Sequence, residues 1–215
     1  MNNIKPRDVQ GIVNRLMAKY EIKDGVGIIP EGTVQIDPYA FQKCAELTSI
    51  TIPDTVTEIG ERAFEACTGL TSIVFPKSVK TIGRRAFDGT GLIEVIIPKS
   101  VKKVDDMAFI DCHSLKSISI MGSLKIPSGF CEDCESLETV TFGSGVKVIA
   151  DSAFNLCKSL KRINIPEEKK DVFQQNFLWK VNRIKTDYDW AHPGRDWEPV
   201  ELEKLLKVIP AEKKK

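Results

Sequence analysis

A unit of 21 to 24 residues recurs six times along this chain, and no other feature constrains the fold as strongly. Every copy carries a phenylalanine at the same place: Phe41, Phe64, Phe87, Phe109, Phe130 and Phe154. The unit is most complete over residues 63–79, where Ala-Phe-Glu-Ala-Cys is followed by Leu70. Because one such unit is too small to bury its own apolar face, repetition at this period predicts a stack of units, that is, a solenoid.

Each unit also contains a run of alternating apolar residues that predicts a short strand. In the first full copy, Ile50 and Ile52 alternate with Ser49 and Thr51. Since successive strand side chains point to opposite faces, the isoleucines are predicted to face inward and the hydroxyl residues outward. A second extended segment follows, as in residues 56–60, and its final glycine is predicted to let the chain reverse into a short helical turn that carries the phenylalanine.

The ends of the chain lack the repeat and are predicted to cap the stack. Residues 6–20 place apolar side chains at helical spacing, which predicts an amphipathic helix. The expected organisation is an N-terminal helical cap over residues 1–25, a solenoid over 26–166 and a C-terminal cap over 167–215. In that last cap we expect a sealing helix over residues 171–179, a final strand at 182–184 and a helix over 199–209 before a basic tail.

The recurring pattern Ile-Pro-x-x-Val-x-x-Ile-Gly-x-x-Ala-Phe-x-x-Cys-x-x-Leu resembles the BspA-like class of leucine-rich repeat proteins over residues 26–166. The resemblance implies an α/β repeat solenoid, a right-handed leucine-rich-repeat superhelix with one parallel strand per repeat. Members are found among bacterial surface proteins and in some protozoa, and they are associated with adhesion and with binding of proteins or matrix. The resemblance therefore implies a protein or peptide partner, with a host or matrix protein as one candidate.

Two places depart from the pattern. At residues 87–92 one residue and the cysteine are missing, and we expect a loop to absorb the difference. At residues 121–129, Ser-Leu-Lys-Ile-Pro replaces the usual Pro-x-x-Val spacing. This second irregularity is predicted either to bend the stack or to mark a site.

Five of the six cysteines occupy one repeat position and are expected to form a column of buried thiols: Cys44, Cys67, Cys112, Cys134 and Cys157. A free cysteine in such a place behaves as a small apolar side chain with a weak donor. The sixth, Cys131, completes a Cys-x-x-Cys pair with Cys134, which leaves a redox interpretation open. No second cysteine or histidine pair completes a zinc site, so no metal ligand is predicted.

Charge and motif content exclude several classes of function. Thirty-one basic against thirty acidic side chains leave a net charge of +1, which provides no overall field for nucleic acid or an anionic membrane. No apolar run of about 18 residues is present, so no membrane insertion is expected. Phosphate-binding loops and nucleophile motifs are absent from the sequence, and no cofactor is predicted. We therefore expect a protein that is not an enzyme.

Two sets of residues keep an enzymatic alternative open. Cys112 and His113 are adjacent, but neighbouring residues seldom orient as a nucleophile and its base. Residues 187–197 are dense in carboxylates and aromatic rings and include His192, so they could form an active or ligand site. The competing interpretation is that this segment packs as part of the cap.

The predicted sheet offers two outward columns as the candidate binding surface. These are Ser49, Ser72, Glu94, Ser117, Thr139 and Arg162, beside Thr51, Val74, Ile96, Ser119, Thr141 and Asn164. Most are hydroxyl residues, but Val74 and Ile96 are adjacent, and an apolar pair beside Glu94 is typical of a contact patch. The predicted partner-binding residues are Ser72, Val74, Glu94, Ile96, Ser117 and Ser119. The alternative is that they are ordinary β-formers on a surface strand.

Function and location follow from these observations as expectations. The favoured function is a protein-interaction or adhesion scaffold that uses the exposed sheet face, and the alternatives are an enzyme with its site in residues 187–197 or a self-associating structural subunit. The oligomeric state is left open. The unpaired cysteines and the lack of a secretory signal favour the cytoplasm for the chain as given. The resemblance favours the cell surface or secretion if a signal was removed.

Overall fold

The structure is a computed structural model that describes residues 19–150, 152–169 and 206–209. Numbered in chain order, the strands of one face are β1 Glu21–Lys23, β2 Val26–Ile28, β4 Ser49–Ile50, β7 Glu94–Ile97, β9 Ser117–Ile120, β11 Thr139–Phe142, β13 Arg162–Pro166 and β14 Leu206–Ile209. Those of another face are β3 Gln35–Ile36, β5 Glu58–Ile59, β6 Thr81–Ile82, β8 Lys103–Val104, β10 Lys125–Ile126 and β12 Val148–Ile149. The described residues contain one short 3-10 helix, Glu167–Lys169, and no α-helix.

The strands form a β-solenoid of about six turns with four sheets on two faces, and every strand pair is parallel except β1–β2. The main sheet has the order β14-β13-β11-β9-β7, and a smaller group, β1-β2-β4, continues the same face at the N-terminal end. The second sheet has the order β3-β5-β6-β8, followed by a separate pair, β10-β12. The expectation of one parallel strand per repeat is therefore wrong. Most turns contribute one strand to each of the two faces, because the second extended segment of a repeat also pairs in parallel with that of the next turn.

The helical caps find no support in the described residues. The helix predicted over residues 199–209 is wrong where it can be compared, because Leu206–Ile209 is a strand parallel to β13, with Asn164 opposite Lys207. The open edge of β13 presents unpaired N–H and C=O groups, and a further strand satisfies them. The other predicted cap elements at 171–179, 182–184 and 199–205 lie outside the described residues, as does the N-terminal helix up to residue 18.

The segment that carries the phenylalanine is a series of turns rather than the short helix that the sequence predicts. Arg62 and Ala66 have positive φ angles of 53° and 58°. The amides of Arg62, Phe64 and Ala66 donate to carbonyls of the next turn at 2.7 to 2.9 Å, which forms a third ladder along the solenoid. Gly60 is needed for a different reason than a positive φ, since a Cβ there would lie 2.6 Å from the backbone nitrogen of Pro38.

The phenylalanines form a buried ladder through the core. Phe41, Phe64, Phe87 and Phe109 stack with centroid distances of 5.1 to 5.3 Å and nearly parallel rings. Phe130 meets Phe109 edge-on at 73°, so the parallel stack ends there. At the other end, the Tyr20 ring lies 5.2 Å from Phe41 and extends the ladder by one aromatic ring. The six rings are almost fully buried, as the repeat pattern predicts.

The first irregularity, at residues 87–92, is absorbed in a loop. Thr90 takes the place of the missing cysteine: its Oγ1 donates to the Phe87 carbonyl at 3.0 Å and lies 3.3 Å from the Cys112 Sγ. Gly89 has a positive φ of 62°, as do Ala66 and Asp111 at the equivalent position of the neighbouring turns, so the shortened turn keeps the local backbone conformation. The deletion thus leaves the column of small polar groups intact.

The second irregularity interrupts the second sheet between β8 and β10. The residue after each strand of this sheet normally donates its amide to the preceding turn: Gly60 to Ile36, Gly83 to Ile59, Asp105 to Ile82, and Ala150 to Ile126. Pro127 occupies that position after β10, and proline has no N–H to donate. The aromatic stack turns edge-on in the same repeat, at Phe130. The sequence departure at 121–129 therefore corresponds to a real discontinuity in the stack.

Candidate functional site

The six predicted site residues lie along the outward side of the main face. Glu94 and Ile96 belong to β7, where Glu94 is opposite Ser117 and Ile96 is opposite Ser119 in β9. Ser72 and Val74 lie one turn earlier, in a segment, residues 71–75, that forms no strand. The main face is therefore continuous from β7 onward and interrupted just before it.

Exposure separates the six residues into two groups. Val74 is 81% exposed and Ile96 is 63% exposed, while Ser72 and Glu94 are also exposed. Ser117 and Ser119 are half-buried. The inward neighbours Ile73, Val95 and Ile97 are buried, so the predicted alternation is confirmed at this place. A binding role for these residues stays a prediction.

One neighbouring apolar residue was missed by the sequence analysis. Ile93 is 41% exposed and directly precedes β7. The corresponding positions in other turns hold Thr71, Lys116 and Glu138, so an isoleucine in an otherwise polar column was the available signal. Together with Val74 and Ile96 it forms what we call the sheet-face patch.

The chemistry of the main face changes from one end to the other. Beyond β7 the outward strand residues are polar, and the Asn164 amide donates to the Thr141 hydroxyl at 2.9 Å. The exposed charges there include a pair, with the Lys161 Nζ 2.9 Å from the Glu138 carboxylate. The sheet-face patch, by contrast, presents apolar side chains next to Glu94. The most exposed apolar residues of the main face are therefore at β7 and the turn before it, and Val26 and Ile28 of β2, each 43% exposed, add a second apolar place at the N-terminal end.

A second surface feature, absent from the sequence analysis, lies at the break in the second sheet. A groove of about 580 Å³ opens there beside Pro127 and Ser123. Five cationic side chains line it, and we call it the basic groove: Arg84, Lys102, Lys103, Lys125 and Lys147. The sequence signal was a lysine on or directly before each of β8, β10 and β12.

The cysteine column is buried as predicted, and all six thiols are free. The thiols of Cys67, Cys112, Cys134 and Cys157 each donate to a carbonyl of the preceding turn at 2.9 to 3.1 Å. Burial raises the pKa of Cys131 to about 11 and also holds the pKa of Cys134 well above its ordinary range. A Cys-x-x-Cys pair acts in redox chemistry through a lowered pKa, so the geometry here favours the structural interpretation.

Cys112 and His113 are directed to different partners. The Cys112 thiol is buried and donates to the Phe87 carbonyl at 3.0 Å. The exposed His113 ring places its Nδ1 3.0 Å from the Asp133 carbonyl. The two side chains therefore do not form a hydrogen-bonded nucleophile and base in this structure.

Residues 187–197, the alternative site, lie outside the described residues. No group of three or more potential metal ligands occurs within residues 19–150, 152–169 and 206–209. Over the same residues, no helix has both the length and the apolar character of a membrane span.

Comparison with solved structures gives the same fold in several bacterial proteins. A leucine-rich repeat protein from Bacteroides ovatus is 31% identical, with a TM-score of 0.59 over 64% of this chain and 38% of that chain. The pneumococcal vaccine antigen PcpA is 23% identical, with a TM-score of 0.60 over 74% of this chain and 45% of that chain. A leucine-rich repeat protein of T. pallidum is 26% identical, with a TM-score of 0.51 over 73% of this chain and 91% of that chain.

The chain thus spans less than half the length of the first two of these proteins. No curated protein matches the chain. The sequence model of the BspA type leucine-rich repeat region, with six copies, matches residues 34–161 and again 124–186. The match covers more than half of the chain and agrees with the repeat unit, the two laddered sheets and the buried phenylalanines. This chain belongs to the BspA type leucine-rich repeat family.

Proposed function

We propose that the chain is a non-enzymatic scaffold that binds a protein partner through the sheet-face patch. The observation that carries the proposal is the exposure of two large apolar side chains on adjoining turns, Val74 at 81% and Ile96 at 63%. Their column is otherwise hydroxyl-bearing on the turns that flank them, at Thr51 and Ser119. A partner that covers both would remove this apolar surface from water.

The size of the effect is sufficient for recognition. Full burial of a valine or isoleucine side chain contributes about 1.5–3 kcal/mol, so the pair could supply the core of a modest interface. Glu94 and the hydroxyl residues around the pair would form its polar rim. Because Val95 and Ile97 anchor the same strand in the core, the patch is held in place before a partner arrives, which lowers the entropic cost of binding.

Membership of the family supports this use of the fold. Repeat solenoids expose long surfaces formed by equivalent residues of successive turns, and such surfaces suit the binding of proteins. One protein with this fold is described as a vaccine antigen, which is consistent with a surface role for that protein. For this chain we propose adhesion or protein binding, with a host or matrix protein among the candidate partners.

The test compares capture by the wild-type chain with capture by a Val74→Glu, Ile96→Glu double variant. The matched control is Val34→Glu, because Val34 is also 59% exposed but lies on the other face, just before β3. Circular dichroism and urea titration establish that all three proteins are folded. We expect a specific partner to be lost from the double variant and retained by the control, with a drop in affinity of about tenfold or more when the purified partner is titrated.

Retention of every specific partner by the folded double variant would contradict the proposal. Independently of the capture experiment, light scattering of the wild-type and double-variant chains distinguishes two kinds of partner for the sheet-face patch. A dimer that the double substitution dissociates would show that the patch binds a second copy of the chain, which is the self-associating alternative. A monomer at all concentrations leaves a different protein as the occupant.

A further inference from the structure

We propose that the basic groove is a second binding site, which takes a short acidic peptide segment of a partner protein. It lies on the second sheet, away from the sheet-face patch, and does not depend on the function proposed above. The inference rests on three observations that coincide at one place: a break in the hydrogen-bond ladder, an open groove and an excess of positive charge.

Pro127 removes one of the hydrogen bonds that would join the turns at the break. In the neighbouring turns, the residue at this position donates its amide to the preceding turn, as Gly83 does to Ile59 at 2.8 Å and Ala150 to Ile126 at 2.9 Å. Proline has no amide hydrogen, and β8 and β10 are strands of separate sheets. The groove of about 580 Å³ lies at this discontinuity, with Val104 and Pro127 among its lining residues.

The charge in the groove is strongly one-sided although the chain is almost neutral. Arg84, Lys102, Lys103, Lys125 and Lys147 line it, and its carboxylates are those of Asp105 and Asp106. The Lys103 Nζ lies 2.8 Å from the Asp105 carboxylate and is largely compensated. The Lys102 ammonium donates to the Lys99 carbonyl at 2.9 Å, which leaves its charge unpaired.

Lys125 and Lys147 add to the excess of positive charge in the basic groove. Neither has an ion pair within the part of the chain that the structure describes. Both are exposed, and they stand on β10 and just before β12, the two strands that follow the break. With Lys102 and with Arg84, which also has no ion pair among the described residues, they make four uncompensated cations on neighbouring turns, and these favour an anionic occupant.

The chemistry of the groove favours an acidic peptide over nucleic acid. Single-stranded nucleic acid is bound by aromatic side chains on which bases stack, and no aromatic ring lines the groove. The volume is that of a site for a small ligand, so it suits a few residues rather than a duplex.

The experiment measures binding of a fluorescein-labelled hexaglutamate peptide to the full chain by fluorescence anisotropy. The groove variant carries Lys102→Gln, Lys125→Gln and Lys147→Gln. The control carries Lys23→Gln, Lys43→Gln and Lys116→Gln, which removes the same charge from exposed positions elsewhere. We expect the groove variant to bind about tenfold more weakly than wild type, and the control to bind within about twofold of wild type.

A second variant, which is expected to strengthen binding rather than weaken it, completes the test. Asp105→Asn with Asp106→Asn removes the negative charge and releases Lys103, so hexaglutamate should bind more tightly, by about threefold or more. Equal weakening in the groove and control variants, or no binding by the wild type, would overturn the proposal. So would lysine-dependent binding of heparin or single-stranded DNA without binding of hexaglutamate, because the groove would then serve a different class of anion.

Discussion

At the scale of single residues, the buried thiols donate hydrogen bonds to the backbone of the neighbouring turn. Cys67 donates to the Phe41 carbonyl at 2.9 Å, and Cys157 donates to the Cys131 carbonyl at 3.0 Å. Each thiol thereby adds a hydrogen bond between neighbouring turns; the Phe41 carbonyl, for example, accepts from both the Cys44 amide and the Cys67 thiol. In the turn that has no cysteine, the Thr90 hydroxyl donates to the Phe87 carbonyl of its own turn, which also accepts from the Cys112 thiol. A small side chain with a weak donor is what this position requires.

The pKa values of these thiols predict a loss of stability at alkaline pH. Burial raises the pKa of Cys67 and of Cys157 to about 12, whereas the unfolded thiols ionise near their ordinary value. The unfolded chain therefore releases its thiol protons first. The stability is fully present below about pH 8.5 and falls as the pH rises toward the native values, by up to about 1.4 kcal/mol per pH unit for each thiol.

Urea titrations between neutral and alkaline pH measure this loss. Cys67→Ala is expected to flatten the decline relative to wild type, because one of the shifted groups is removed. Lysine and tyrosine titrate in both proteins and provide the common background. Identical pH profiles would contradict the assignment, as would rapid modification of native thiols by a disulfide reagent at pH 8, which should reach them only after unfolding.

At the scale of elements, hydrogen bonds between turns set where each strand begins and where each sheet ends. Gly60 and Gly83 directly follow β5 and β6, and their amides donate hydrogen bonds to carbonyls of the preceding turn. At Pro127 that donor is absent and the second sheet ends, to resume as β10 and β12. The missing amide of Pro127 thus contributes to the separation of two sheets that the repeat alone would have joined.

Pro127→Ala tests this account of the break. The restored amide at position 127 should donate to the turn before it and exchange slowly with solvent, as the Gly83 amide should. A new bond contributes about 1 kcal/mol, and loss of proline stiffness in the unfolded chain costs about 0.4–1 kcal/mol, so the unfolding midpoint should change little. Hydrogen exchange followed by NMR is therefore the informative measurement. Unprotected exchange at position 127 would show that the spacing of residues 121–129 maintains the break.

At the scale of the whole molecule, the aromatic ladder couples each turn to its neighbours. The Phe87 ring lies 5.2 Å from Phe64, 5.1 Å from Phe109 and 5.7 Å from Phe75. Because each turn of a solenoid contacts chiefly the turns on either side, damage at one ring spreads mainly to those turns. The ladder is therefore the element of the core whose loss should be felt beyond a single repeat.

Phe87→Ala is expected to destabilise the protein by about 3–5 kcal/mol, because a large cavity remains between two rings. Ser72→Ala, at an exposed position, should change stability by less than about 0.5 kcal/mol. Urea titration measures both, and equal effects would contradict the ladder. Hydrogen exchange should show the loss of protection in the turns of Phe64 and Phe109 before it reaches β13.

Much of this architecture was predictable from particular residues. Ile73, Val95 and Ile97 are buried and Val74 and Ile96 exposed because alternation along a strand is a local property. The buried column of Phe41 to Phe154 follows from the period in the same way. The predicted helix at residues 206–209 failed, since a short apolar run fits a strand or a helix equally well and the open edge of β13 was invisible in the sequence.

The repeat and the inward or outward direction of its side chains are thus determined by the sequence alone, because period and alternation involve only residues that are near neighbours along the chain. Which turns join into one sheet, where Pro127 opens a groove, and that lysines from three turns line it depend on contacts between residues about 22 positions apart. Those contacts form only when the turns are stacked. The sheet-face patch lies between the two cases, since its side chains were predictable but the break beside it at residues 71–75 was not.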